Sequence, residues 1–225
     1  MSEALKTFEE PPSEGRGVEP RAAPQWVFEL LRPAIRLISR AAWRVRFRGV
    51  EHIPAAGGVV IAANHQTYAD PFLMSVPVRR PVRYLAWSEA FKWPLAGRAI
   101  EVLGAWPIRI ERGNPSAHRR SLRWLRRGGA VMIFPEGGRA FGDGVMLRFK
   151  SGAARLALEA GVPVLPVTIR GGHVAWPRGQ RWPRAGRVEI VYHPPRHLAV
   201  HPGEDARAAA ERETEALASV IKSAL

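Results

Sequence analysis

Residues 59–71 read V-V-I-A-A-N-H-Q-T-Y-A-D-P. Val59 to Ala62 is a short apolar run entered through Gly57-Gly58, which predicts a buried strand. The strand delivers Asn64 and His65 into a polar loop, with Asp70 five residues after the histidine and Pro71 directly behind it. A carboxylate that accepts from one imidazole nitrogen fixes the tautomer and leaves the other nitrogen free to take a proton, the arrangement general-base chemistry needs. The same Asp-Pro pair, ahead of Phe72-Leu73-Met74, also reads as a helix start with Asp as N-cap and Pro at the first helical position. The two readings are compatible, because a carboxylate has two oxygens.

Around this stretch, a chain of 225 residues is long enough for one α/β domain with a sizeable core. It has no cysteine, which excludes disulfides, thiolate metal sites and a Cys nucleophile and suits a reducing compartment. The first ten residues are acidic and lack an apolar segment, so no signal peptide is expected. No apolar run approaches the ~18–20 residues needed to span a bilayer. The formal charge is +14, unevenly placed: residues 1–20 carry −3, residues 201–225 carry −2, and the stretch between holds +19, mostly arginine. Such a surface seeks a polyanion, whether nucleic acid, an anionic bilayer or a phosphorylated substrate, and the planar arginine fork suits phosphate.

Residues 1–24, rich in Glu, Pro and Gly, are expected to form a disordered acidic arm. From Gln25 to Val45 the pattern is helical, with Trp26, Leu30, Ile35, Ile38 and Ala42 on one side and Arg32, Arg36, Arg40 and Arg44 on the other, and Pro33 kinking or breaking it. A basic helix with tryptophans at both ends reads as a membrane-surface element, or equally as an amphipathic helix packed on its own domain. Strands are expected at Arg46–Val50, Val59–Ala62, Val82–Ala86, Trp106–Ile110, Val131–Phe134, Val164–Ile169 and Val188–Tyr192. Helices are expected at about Pro71–Val78, from Ser88 toward Leu103 with a break at Trp93-Pro94, at Ser116–Arg127, Ser151–Ala160 and Gly203–Ala224, with an irregular loop over 171–187. Strands alternating with helices argue for an α/β fold around one mostly parallel central sheet flanked by helices.

A second strand end is chemically unusual. Val131–Phe134 delivers Pro135-Glu136-Gly137-Gly138-Arg139. Ligands in α/β sheets sit outside the carboxyl ends of strands. Gly137-Gly138 lets the backbone approach a ligand closely and turn N–H groups toward an anion. Arg139 can clamp a phosphate, and Glu136 can accept from hydroxyls or hold Arg139. The plain alternative is a Gly-Gly turn beside a solvated ion pair.

With these blocks in place the chain resembles the 1-acylglycerol-3-phosphate acyltransferases and their phospholipid–glycerol acyltransferase relatives. Four blocks match in order: Asn64 to Pro71 with the G-V-E-H-I-P lead at 49–54; Gly104 to Ile108; Phe134 to Arg139 followed by Phe149 to Ala154; and Val162 to Val167. The likeness covers about residues 45–195 and implies an acyltransferase domain at 46–200, between the helical segment 25–45 and a C-terminal helix at 201–225, in a glycerol-3-phosphate acyltransferase-like fold.

The resemblance further implies transfer of a fatty acyl group from an acyl thioester, acyl-CoA or acyl carrier protein, to a lipid hydroxyl, most simply making phosphatidic acid from lysophosphatidic acid. His65 would be the base and Asp70 its orienting carboxylate. Glu136, Gly137, Gly138, Arg139 and Lys150 would bind substrate. No enzyme nucleophile, metal or cofactor beyond the co-substrate is implied, in keeping with the absence of cysteine and of any G-x-S-x-G. An anionic membrane surface is the implied partner, with the protein peripheral on the inner face of the cell membrane. Two positions depart from the family pattern. The arginine usual six residues after the second block's glycine is here Ile110, leaving Arg109 and Arg112 as phosphate candidates, and the usual Gly-Thr-Arg-Ser is here Gly137-Gly138-Arg139-Ala140. The alternatives are the same chemistry on another lysolipid, aminolipid or glycolipid, hydrolysis if water replaces the acceptor, or a basic nucleic-acid-binding module. No helix-turn-helix, zinc or RNA-recognition signature accompanies the charge, so nucleic acid is not expected.

Overall fold

A computed structural model describes residues 25–92, 96–102, 104–108, 115–141 and 143–225. In chain order its elements are α1 (Gln25–Trp43), β1 (Arg46–Arg48), β2 (Val59–Ala63), α2 (Asp70–Ser75), β3 (Val82–Trp87), α3 (Ala96–Val102), β4 (Ala105–Ile108), α4 (Pro115–Arg126), β5 (Ala130–Ile133), α5 (Gly152–Ala160), β6 (Val164–Arg170), α6 (Gly172–Ala175), β7 (Glu189–Tyr192) and α7 (Ala206–Lys222), with 3₁₀ turns at Val50–His52 and Ser88–Lys92. The strands form one seven-stranded sheet in the order β1-β7-β6-β2-β5-β3-β4. Every neighbouring pair is parallel except β6–β7.

The pleat of β2 explains its central place. All five of its residues are buried. Val59, Ile61 and Ala63 join a cluster with Leu165, Val167, Ile169, Ile190 and Met132 on one face, while Val60 and Ala62 join Val131, Val164, Leu122, Leu156 and Leu217 on the other. A strand buried on both faces reads as an unbroken apolar run, as V-V-I-A-A does. The helices divide accordingly. Leu73 and Met74 of α2, Ala175 of α6, and Trp43 and Val45 at the end of α1 pack on the first face. Residues of α4, α5 and α7 cover the second.

Pro166 lies inside β6, where a missing N–H ordinarily breaks a ladder. Its carbonyl accepts from His193 N at 3.0 Å, just past the last β7 partner, Tyr192. The N–H and C=O of one strand residue face the same neighbour, so the lost donor falls at the end of the β6–β7 ladder and the bonds to β2 are untouched.

Several local expectations are corrected. Pro33 does not break α1, which runs as one helix through it. The helix after Asp70 ends at Ser75 rather than Val78. The helix expected from Ser88 is a 3₁₀ turn followed by the separate α3. The 171–187 loop contains α6, and α7 begins at Ala206, where Asp205 caps it by accepting from Arg207 N and Ala208 N. The expected arm at 1–24 lies outside the described residues, as do Arg109 and Arg112.

Candidate active site

β2 and β5 are parallel neighbours, so the loops that follow them emerge side by side at one end of the sheet. The β2 loop is built by its own side chains. Asn64 donates through Nδ2 to Ile169 O and accepts at Oδ1 from Ile169 N, both at 2.7 Å, so its amide continues the β2–β6 ladder beyond the strand. Gln66 Oε1 accepts from Gly172 N at 2.8 Å, tying the loop to the start of α6. Buried amide bonds of this kind contribute about 1 kcal/mol each, and leaving one unmade costs more.

Asp70 is fully buried and receives four donors. Its Oδ2 accepts from His65 Nδ1 at 2.8 Å, Gln66 N at 2.6 Å and Thr67 N at 2.8 Å, and its Oδ1 accepts from the Thr67 hydroxyl at 2.7 Å. Asp70 is therefore not an N-cap. It is the first residue of α2, the capping position is Ala69, and the carboxylate turns back into the loop rather than forward along the helix. Pro71 suits the first turn, where an N–H has no intrahelical acceptor. With Nδ1–H donating to the carboxylate, the free lone pair of the neutral ring sits on Nε2. The His65 side chain keeps 18% exposure, and its ring is stacked on Phe134 with centroids 4.0 Å apart and planes 19° apart. The imidazole is held on one edge and one face, and among the described residues its Nε2 has no hydrogen-bond partner.

The β5 loop is stitched to the β2 loop. Glu136 Oε1 accepts from His65 N and Oε2 from Leu147 N, each at 2.7 Å, while Ala140 N donates to His65 O at 2.7 Å. Burial pushes the Glu136 carboxyl up to about 7, against the pull of the two amides that favour its charge. The expected alternative in which Glu136 holds Arg139 is corrected by the structure, which ties the carboxylate to the two loops instead. Both oxygens are committed to backbone, and among the described residues no ion pair joins it to Arg139.

Arg139 stands instead on Tyr68, with its guanidinium carbon 3.4 Å from the ring centroid. Tyr68 in turn meets Trp176 edge-on at 6.0 Å. Burial lowers the Arg139 pKa, Tyr68 opposes that, and Arg178 adds to it. A half-buried guanidinium with no carboxylate partner among the described residues is prepared for an anionic ligand. Gly137 has φ +67, where a side chain is strained, and Lys150 Nζ lies 2.8 Å from where its Cβ would be. Gly138 lacks a positive φ and has open space around it.

The structure therefore brings together His65, Asp70, Glu136, Gly137, Gly138, Arg139 and Lys150. Sequence reasoning missed Tyr68 as the platform for Arg139, Phe134 as the stacking partner of His65, and Thr67 as a donor to Asp70. Only Thr67, three residues before the carboxylate, leaves a sequence signal for its contact.

A base–carboxylate dyad at one strand end, beside a cationic clamp at the next, defines an α/β protein suited to proton abstraction from an acceptor that carries an anion. Residues 44–170 match the family model described as Acyltransferase, more than half of the chain, and the protein belongs to that family. The chain is 32% identical to the 1-acyl-sn-glycerol-3-phosphate acyltransferase of Pseudomonas aeruginosa, over 80% of this chain and 68% of that one. It is 28% identical to the chloroplastic 1-acyl-sn-glycerol-3-phosphate acyltransferase of Arabidopsis thaliana over 69% of this chain, and spans only 44% of that protein's length. The crystal structure of the 1-acyl-sn-glycerophosphate acyltransferase PlsC from Thermotoga maritima superposes with a TM-score of 0.70 at 25% identity, over 89% of this chain and 79% of that one.

Proposed function

We propose that this protein moves a fatty acyl group from an acyl thioester to the free hydroxyl of lysophosphatidic acid, giving phosphatidic acid. The observation that carries the reading is the His65–Asp70 pair with Nε2 open, next to the Tyr68-mounted Arg139. Arg139 holds the acceptor's phosphate. His65 Nε2 takes the hydroxyl proton as the acceptor oxygen bonds to the thioester carbon, and Asp70 offsets the charge on the imidazolium. Collapse of the tetrahedral intermediate breaks the carbon–sulfur bond, and the imidazolium returns its proton to the leaving thiolate. The relatives' printed names support this acceptor.

The reaction takes place at an anionic membrane surface on the cytoplasmic side. No helix among the described residues is long and apolar enough to cross a membrane. α1 nevertheless exposes Leu30, Leu37 and Ile38 to 71%, 71% and 64% while turning polar groups inward. Arg32 donates to Val78 O, Ser39 is buried, and Trp43 Nε1 donates to Arg184 O. A helix that docks through Arg32, Ser39 and Trp43 and bares Leu30, Leu37 and Ile38 has those apolar side chains available to lipid.

A panel of acceptors with one labelled acyl-CoA tests the assignment. Lysophosphatidic acid is expected to be preferred, and Arg139→Lys, which keeps charge but loses the fork, to raise its KM with little change in the donor's KM. Preference for an acceptor without a phosphate monoester, with a KM indifferent to Arg139→Lys, would reassign the acceptor while leaving acyl transfer in place. Substitution at Gly138 bears on the same question: the open space there admits Gly138→Thr without backbone strain, so that variant is expected to keep the lysophosphatidate activity.

A further inference from the structure

α4 carries Arg119, Arg120, Arg123 and Arg126, is followed by Arg127, and contains no acidic residue. Ala117, Ser121, Leu122 and Leu125 are its buried side. Arg119, Arg123 and Arg126, at i, i+4 and i+7, form one exposed row along the other. Among the described residues no carboxylate lies within ion-pair distance of Arg119, Arg120, Arg123 or Arg127. The acid on the neighbouring α5, Glu159, has its carboxylate taken by His118 at 2.7 Å and its carbonyl by Arg126 at 3.3 Å. Like charges four residues apart weaken a helix by about 0.2–0.5 kcal/mol. The row therefore works against the fold, and its stability gives no reason for it.

The row is also on the side away from lipid. The end of α1 and α6 pack on one face of the sheet and α4 on the other. A flat bilayer that receives the leucines of α1 cannot at the same time lie along α4. The arginines diverge from a convex helix over eight residues, about 12 Å. That geometry fits an extended acidic surface better than the phosphates of one small molecule, which need convergent donors. Finally, α4 begins at the end of the sheet where the catalytic loops emerge. β4, three strands from β2, is parallel to its neighbour and places its C-terminus there, about 14 Å away at ~4.8 Å per strand.

We propose that the outer row of α4 is the docking surface for an acidic protein that carries the acyl thioester, positioned so that the carrier's flexible arm passes over the strand ends to His65. The proposal rests on the acyl-transfer reading and adds the donor's binding site to it.

The test compares wild type with Arg119→Glu/Arg123→Glu, using an acyl carrier protein thioester and the matching CoA thioester, with lysophosphatidic acid in detergent micelles. The expected result is a KM for the carrier thioester raised at least about tenfold and a CoA-thioester kcat/KM within about twofold of wild type. Fluorescence anisotropy with holo carrier protein should show salt-sensitive binding to wild type that the variant loses. Equal effects on both donors, no effect on either, wild type that uses the CoA thioester but not the carrier's, or a variant that loses binding to anionic vesicles would each overturn the proposal. If wild type turns over neither donor, the acyl-transfer reading fails instead. The anisotropy comparison then still decides the surface, since carrier binding that is absent or indifferent to the charge reversal overturns it. Arg119→Ala/Arg123→Ala, which adds no new charge, repeats the comparison should the reversal disturb folding.

Discussion

At the scale of single residues, the dyad gives the sharpest expectation. His65→Ala should abolish transfer, and Asp70→Asn, which keeps the shape but offers an amide in place of one acceptor oxygen, should lower it by a factor on the order of 10² to 10⁴. A folded His65→Ala protein with wild-type turnover would remove the mechanism. Glu136 makes a second expectation through its raised pKa. The folded state holds its proton more tightly than the unfolded chain, whose carboxyl has the ordinary value near 4.5. Stability therefore falls as pH rises from about 4.5 through about 7, and the burial cost is complete above that window. Glu136→Gln cannot ionise, so denaturant unfolding at pH 5 and pH 8 should show wild type losing stability relative to the variant, by a few kcal/mol at most. A parallel pH dependence of the two proteins would show that the carboxylate is not desolvated as drawn. The residue scale also shows the limit of sequence reading. The histidine and its carboxylate are five apart in one loop and legible together. The partners of Glu136 are backbone amides of His65 and Leu147, and those of Arg139 are the face of Tyr68. Backbone donors and ring faces leave no residue-type signature, so Glu136 and Arg139 look like an ion pair until the loops are folded.

At the scale of elements, strand periodicity and buried runs are readable because every strand except the edge strand β1 carries buried residues, and the observed bounds differ from the expected ones by a few residues at the ends. Helix α1 shows what periodicity leaves open. The alternation of apolar and basic positions defines two sides but not which one packs. Packing is decided by the carbonyls of Val78 and Arg184, distant in sequence, which recruit Arg32 and Trp43. The consequence is testable. Leu30 and Leu37 are exposed, so Leu30→Ser/Leu37→Ser should shift the unfolding midpoint little, within about 0.5 kcal/mol per site. The same double change should weaken sedimentation with anionic vesicles about tenfold or more, because two side chains worth roughly 1.5–3 kcal/mol each on burial are removed. Marked destabilisation in solution would mean that these leucines pack on the protein, and unchanged vesicle binding would move the contact away from α1.

At the scale of the whole molecule, the +19 of the central stretch is visible in the sequence, but its division between two faces of a sheet is not, because it depends on strand order. On the α1 side the exposed arginines include Arg36, Arg40 and Arg44, and the adjoining loop adds Arg178, Arg181 and Arg184. The Trp43–Arg184 bond joins helix to loop, and Arg178 donates to Arg139 O at 3.1 Å, so this basic surface continues to the mouth of the site. Each arginine near an anionic bilayer adds about 1 kcal/mol, within a Debye length of ~8 Å at physiological ionic strength and ~3 Å at 1 M salt. The leucines of α1 are not screened. Vesicle binding should therefore separate into two parts: a charge-dependent part, present on anionic and absent on neutral vesicles, that falls by tenfold or more between 0.15 M and 1 M salt, and an apolar remainder that survives. Turnover should follow the same division. With acceptor embedded in anionic vesicles, its apparent KM should rise with salt, whereas a short-chain acceptor free in solution should show much less dependence, arising from the phosphate contact at Arg139 alone. Equal binding to neutral and anionic vesicles at 0.15 M salt would leave the basic surface without a membrane role, and complete release at 1 M would deny one to the leucines.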